Sequence, residues 1–208
     1  MSSKEIAKIS HPETAAPKIA TAILDFISKI PASTEQASTT PKQVAREKAN
    51  KSSAYAALAS GAIALPPGPL GWLTILPELL AVWKIQSQLV ADIAAIYGKK
   101  ATLSQEQMMY CLFRHTAAQA FRDLTIRVGE RVLVKQASLK VMQSIAKKVG
   151  LKISQRALGK GLTRWIPIVG AVGVGAYAYY DTAQVAATAI ELFESELAIP
   201  VELADVKS

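Results

Sequence analysis

Two residue patterns in this chain of 208 amino acids could do chemistry. Cys111 and His115 lie four apart, a spacing that puts thiol and imidazole on one face of a helix. A cysteine–histidine nucleophile also needs an orienting group and oxyanion donors, and the neighbouring sequence supplies neither. The pair therefore reads as a buried thiol beside a hydrogen-bonded histidine, with a Cys111/His115 hydrolase as the enzymatic alternative. No catalytic residue is assigned. The second pattern is two lone carboxylates, Glu78 and Asp181, each inside an apolar segment. Burial of an unpaired carboxylate is costly or forces it neutral, so each needs a partner, and Lys84, Arg114, His115, Arg122 and Arg164 are available. A group drawn from Glu78, Asp181, Arg114 and His115 is either an ion pair that fixes helix register or a cavity site for a cation or polar headgroup.

Other chemistries lack their residues. The two histidines, His11 and His115, are far apart and no carboxylate cluster accompanies them, which makes a poor zinc site. A single cysteine excludes an internal disulfide. Gly159-Lys160-Gly161 lacks the glycine spacing and preceding strand of a phosphate loop. No metal and no cofactor is expected, and the residues name no small-molecule substrate.

The elements that would position these groups are helical. Apolar residues recur three or four apart, alternation is scarce, and the expected fold class is all-α with no sheet. The central stretch is Ala54–Tyr97, which carries no charge between Ala54 and Pro77. Pro66-Pro67-Gly68-Pro69 must interrupt it, giving a helical hairpin with a compact bundle built around it. Its second arm, Leu70–Tyr97, is kinked or delayed at Pro77 and capped by Gly98 in the left-handed conformation. A helix apolar on every side must be wrapped by protein or laid in lipid.

Around the hairpin, Lys18–Ile30 reads as an amphipathic helix that could dock on the domain, a partner or a membrane. Pro31–Thr40 follows as a flexible linker, so that helix is expected to move relative to the rest. Thr40-Pro41 starts the first arm. Ser104 and Gln107 have capping-box spacing, and the helix they start is expected to run to Leu124. Glu130–Lys148 reads as a further helix, and a glycine-rich one starts near Pro167. The expected divisions are an N-terminal helix and linker over 1–40, a helical domain over 41–198 and a tail over 199–208.

Charge is uneven. Residues 114–164 hold 12 basic and 2 acidic side chains, whereas 165–208 hold 1 and 6. The basic band implies an anionic partner or the chain's own acidic end. Arg127, Arg131, Lys135, Lys147 and Lys148 are the membrane-contact candidates within it. Trp72 and Trp165 join them as residues at polar–apolar junctions, the depth at which tryptophan favours a bilayer interface. Nucleic acid is the weaker partner, because aromatics are not interleaved with the basic residues and no groove-reading motif occurs. The N-terminus has no apolar core of the secretory type, so the expectation is a protein that stays inside the cell.

The stretch LPPGPLGWLTILPELLAVWKIQSQLVADIAAIYG, Leu65 to Gly98, resembles the proline-glycine turn and following helix of the EcsC family of bacterial proteins. IPIVGAVGVGAYAYYDTAQVAATAIELF, Ile166 to Phe193, is similar to that family's C-terminal pattern, and the resemblance covers roughly residues 45 to 195. The helical domain appended to some bacterial small GTPases is similar in the same features. The EcsC resemblance implies a bacterial helical protein, cytoplasmic or membrane-associated, linked by name to the operon of an ABC exporter, and supplies no catalytic residues. The functional expectation is a non-enzymatic, membrane-associated protein, peripheral or conditionally inserted at the inner membrane, that binds an anionic membrane surface or a membrane protein. The alternative is a soluble helical interaction module with the hairpin as its core.

Overall fold

The computed structural model describes residues 12–63, 72–128, 131–159 and 167–197. Six α-helices carry most of the chain: α1 Pro12–Ile27, α2 Pro41–Ile63, α3 Trp72–Ile96, α4 Gln105–Phe113, α5 Leu139–Gly159 and α6 Pro167–Leu197. A 3-10 segment, Ala118–Leu124, and a hairpin of β1 Thr125–Val128 and β2 Arg131–Val134 lie between α4 and α5. The all-α class holds, with one small sheet added. The prolines and glycines of 64–71, and the N-terminus including His11, lie outside the described residues.

Packing follows the apolar faces. The two most extensive helix contacts are α2 with α6 and α1 with α5, and α3 touches both α2 and α6. The pair α2/α6 runs antiparallel: Lys42 near the start of α2 bonds Glu194 near the end of α6 at 2.8 Å, and Gly175 lies under Ala57. A Cβ at position 175 would stand 3.0 Å from the Ala57 carbonyl oxygen, so glycine there permits the close approach. Gly150 does the same for α5 on α1, where a Cβ would stand 2.7 Å from the Ala16 carbonyl oxygen. The core joins Ile23 and Ile27 of α1, Leu89, Ile93 and Ile96 of α3, α4, Ile145 and Val149 of α5, and Leu192 and Phe193 of α6. Trp83 is at its centre, edge-on to Phe113 at 5.2 Å and tilted against Phe26 at 6.0 Å.

Several local expectations hold for stated reasons. Pro41 opens α2 and Pro167 opens α6. Ser104 accepts from the Gln107 amide while the Gln107 side chain accepts from the Ser104 amide, completing the capping box. Gly98, with φ of +73°, ends α3 by a turn in which Lys99 N donates to Ala94 O.

Four expectations are corrected. The N-terminal helix spans Pro12–Ile27 rather than Lys18–Ile30, because Pro17 forfeits only one early intrahelical bond and does not stop the helix. Its apolar face belongs to the core, and residues 31–40 are held rather than loose: Ser38 N donates to Ile96 O and Gln88 Nε2 to Ala32 O. The helix from Gln105 ends at Phe113, where Thr116 N and Ala117 N both turn back to the Phe113 carbonyl. Finally, 131–134 is a strand, paired Thr125↔Val134 through Val128↔Arg131. Its β-branched residues, and the two residues beginning with Gly129 that separate the strands, are hairpin features that outweigh the helical spacing of Val132 and Leu133.

Candidate functional site

Three polar arrangements rise from this scaffold. The first is a cluster where α3, the turn after α4 and α6 meet. Because α4 stops at Phe113, the turn aims Arg114 and His115 at α6. His115 Nε2 donates to Asp181 Oδ1 at 2.7 Å, with Thr116 Oγ1 at 3.2 Å from the same nitrogen. From α3, Gln86 Nε2 donates to Asp181 Oδ2 at 2.8 Å and lies 3.3 Å from Thr182 Oγ1. The carboxylate expected to need a partner is met by His115 and Gln86, contributed by two other elements. His115 Nδ1 and Gln86 Oε1 are both buried without a hydrogen-bond partner.

The other expected members fall elsewhere. Arg114 pairs with Glu191 of α6 at 2.6 Å, and its guanidinium lies over the Tyr110 ring at 5.4 Å. Burial pushes the Tyr110 hydroxyl up to about 12. The side chain of Glu78 lies outside the described residues, as does Arg164. Cys111 is fully buried, and burial pushes its thiol well above the ordinary cysteine range, the opposite of an activated nucleophile. Among the described residues no group of three or more His, Cys, Asp or Glu could hold a metal ion.

The second arrangement was not expected. Asp92, buried in α3, accepts from Ser33 Oγ at 2.7 Å, from Gln88 Nε2 at 2.9 Å and from Lys48 Nζ at 2.9 Å. Lys48 also bonds Glu35 at 2.7 Å, and Lys100 Nζ donates to the Ser33 carbonyl. The Glu35 hydrogen bond, supported by that of Asp92, holds Lys48 above the ordinary lysine range against the opposing effect of burial. This network straps residues 32–35 onto α2 and α3. A lone aspartate in the run LVADIAA was its one visible sign; Ser33 and Glu35 reach it only through the fold.

The third is on the surface. Helix α5 buries Met142, Ile145, Ala146 and Val149 and exposes Lys140, Lys147, Lys148 and Lys152. No carboxylate occurs in the sequence between Glu130 and Asp181, and none pairs with these four lysines among the described residues. Three acidic residues of α6 are engaged elsewhere: Glu191 by Arg114, Glu194 by Lys42 and Glu196 by Gln107 at 2.6 Å. Lys147 and Lys148 thus share one face with Lys140 and Lys152. Arg127 and Lys135 are exposed at a different element, the hairpin and the residue after it. The Arg131 side chain, the Trp72 side chain and all of Trp165 lie outside the described residues.

A protein-family model described as the EcsC protein family matches residues 11–195. No curated protein and no solved structure matches the chain.

Proposed function

The chain belongs to the EcsC family, and from that premise we propose that it is a non-enzymatic helical module of the bacterial cytoplasm that binds an anionic membrane surface. The observation that carries this reading is the lysine face of α5, which no carboxylate pairs with among the described residues, whereas Lys42, Lys48 and Arg114 each pair with one. Such a face attracts phosphate headgroups at about 1 kcal/mol per well-placed lysine. Attachment is peripheral in this reading. The stretch Leu79–Ile96 is long and apolar enough to cross a membrane, yet more than half of it is buried against other helices, and Gln86 and Asp92 within it bond to neighbouring elements. An acidic segment of a membrane protein would satisfy the same lysines.

Sedimentation with phosphatidylglycerol vesicles tests the proposal. The full chain is expected to pellet with anionic vesicles at low salt and to be released by high salt. Replacing Lys147 and Lys148 by glutamine is expected to weaken binding by roughly thirtyfold, the equivalent of about 2 kcal/mol. A chain that ignores anionic vesicles at low salt is instead a soluble interaction module, the reading favoured by the burial of α3.

A further inference from the structure

Along the α2/α6 pair, from Lys42 and Glu194 to Ser53 and Ala183, the two helices leave a cleft of about 610 Å³ between them. Its floor is four alanines, Ala49, Ala183, Ala186 and Ala187, with Ile190. Arg46, Asn50 and Ser53 line it from α2. They stand at i, i+4 and i+7, one stripe of the helix, spread over about 10 Å of its axis. Among the described residues no aromatic ring lines the cleft.

Two of these polar groups have nothing to bond among the described residues. Ser53 is 1 % exposed, and its hydroxyl is buried without a hydrogen-bond partner. On the facing helix Thr188 and Ser195 donate theirs to the carbonyl one turn back, at Gln184 and Glu191. A buried hydroxyl left unpaired is a net cost to the fold. Arg46 is exposed and forms no ion pair or hydrogen bond among the described residues. The carboxylates across the cleft are already taken, Glu194 by Lys42 and Glu191 by Arg114. One positive charge therefore stands without a counter-charge, beside an amide and a buried hydroxyl.

We propose that this cleft binds an aliphatic monocarboxylate, its carboxylate held by Arg46, Asn50 and Ser53 and its hydrocarbon part laid on the alanine floor. A guanidinium donates two parallel bonds to a carboxylate, and Asn50 Nδ2 and Ser53 Oγ add donors for the remaining lone pairs. The single charge matches the single free cation. A phosphate monoester would bring further negative charge beside Glu191 and Glu194. The floor offers no ring to stack a base and no hydrogen bonds for a sugar, whereas an alkyl chain gains by covering it. A few polar anchors over an apolar lining, at this volume, are the makeup of a small-molecule cleft. The site uses none of the α5 lysines and goes beyond the membrane reading.

Octanoate titrated into the full chain, with backbone amide NMR shifts as the readout, tests it. Saturable shifts are expected at Asn50, Ser53 and Ala187, and octylamine at the same concentrations is expected to give none. Arg46→Gln is expected to weaken octanoate binding roughly tenfold with thermal melting unchanged. Ser53→Ala is expected to weaken it several-fold while melting stays the same or rises, because the variant removes an unpaired buried hydroxyl. A lower melting temperature for Ser53→Ala would show that this hydroxyl serves the fold, and overturns the inference. Shifts that do not saturate, that octylamine reproduces or that Arg46→Gln leaves unchanged overturn it as well. Saturable octanoate binding by a chain that ignores anionic vesicles upholds this site and removes only the surface-binding reading.

Discussion

At the scale of the residue, burial decides what each ionisable group does. Asp181 anchors two donors from different elements, His115 and Gln86. Asp181→Ala leaves both donors facing an apolar methyl, and the expected loss is about 3 kcal/mol, read as a lower urea midpoint. Asp181→Asn keeps one acceptor and is expected to lose less. Glu196 makes a prediction of opposite sign. Burial raises its carboxyl above the usual range, partly offset by the Gln107 hydrogen bond. The folded state then holds the proton more tightly than the unfolded chain, so this group's contribution is fully present below about pH 4.3 and is lost as pH rises through the raised folded value. Glu196→Gln, which retains an acceptor for Gln107, is therefore expected to melt higher than the parent at pH 7, with the difference vanishing below pH 4.

At the scale of the element, two contacts hold the N-terminal part of the chain to the rest. Helix α1 approaches α5 at Gly150, where added bulk meets backbone that cannot rotate away. Gly150→Ala gains helix propensity yet is expected to destabilise by about 1–3 kcal/mol through overpacking, a sign that denaturant unfolding checks directly. The strap over residues 32–35 depends on the buried Asp92 and its three partners. Asp92→Ala is expected to free that segment, seen as faster hydrogen exchange at the Ser38 amide, which bonds Ile96 O, with α6 amides little changed. Lys147→Gln, on an exposed face, is expected to leave stability within about 0.5 kcal/mol of the parent.

At the scale of the whole molecule, α1 shares one core with α3, α4, α5 and α6. The expected result is a single cooperative unfolding transition, with the Ile23 amide of α1 protected from exchange to the same degree as Ile93 of α3. Early, separate loss of protection at Ile23 would show that α1 is a mobile appendage after all. The charge pattern is also a property of the whole. The four lysines exposed on α5 act as one face, so salt is expected to weaken its attraction for phosphate headgroups, read as release from anionic vesicles.

The sequence by itself determined the helical class, the starts of α2 and α6, the capping box at Ser104 and the left-handed stop at Gly98, because these depend on side chains within one turn of each other. It also carried the family pattern and the excess of basic residues. Only the tertiary structure decided that His115 and Gln86 meet Asp181 while Arg114 meets Glu191, that Asp92 ties down Ser33 and, through Lys48, Glu35, and that among the described residues no carboxylate pairs with the lysines of α5 while Glu191, Glu194 and Glu196 are taken by Arg114, Lys42 and Gln107. Those outcomes depend on which helix faces come together. The hairpin at 125–134 and the docking of α1 lie between the two cases: their residues are suggestive locally, but β pairing and burial against Gly150 are won only when the rest of the core is in place.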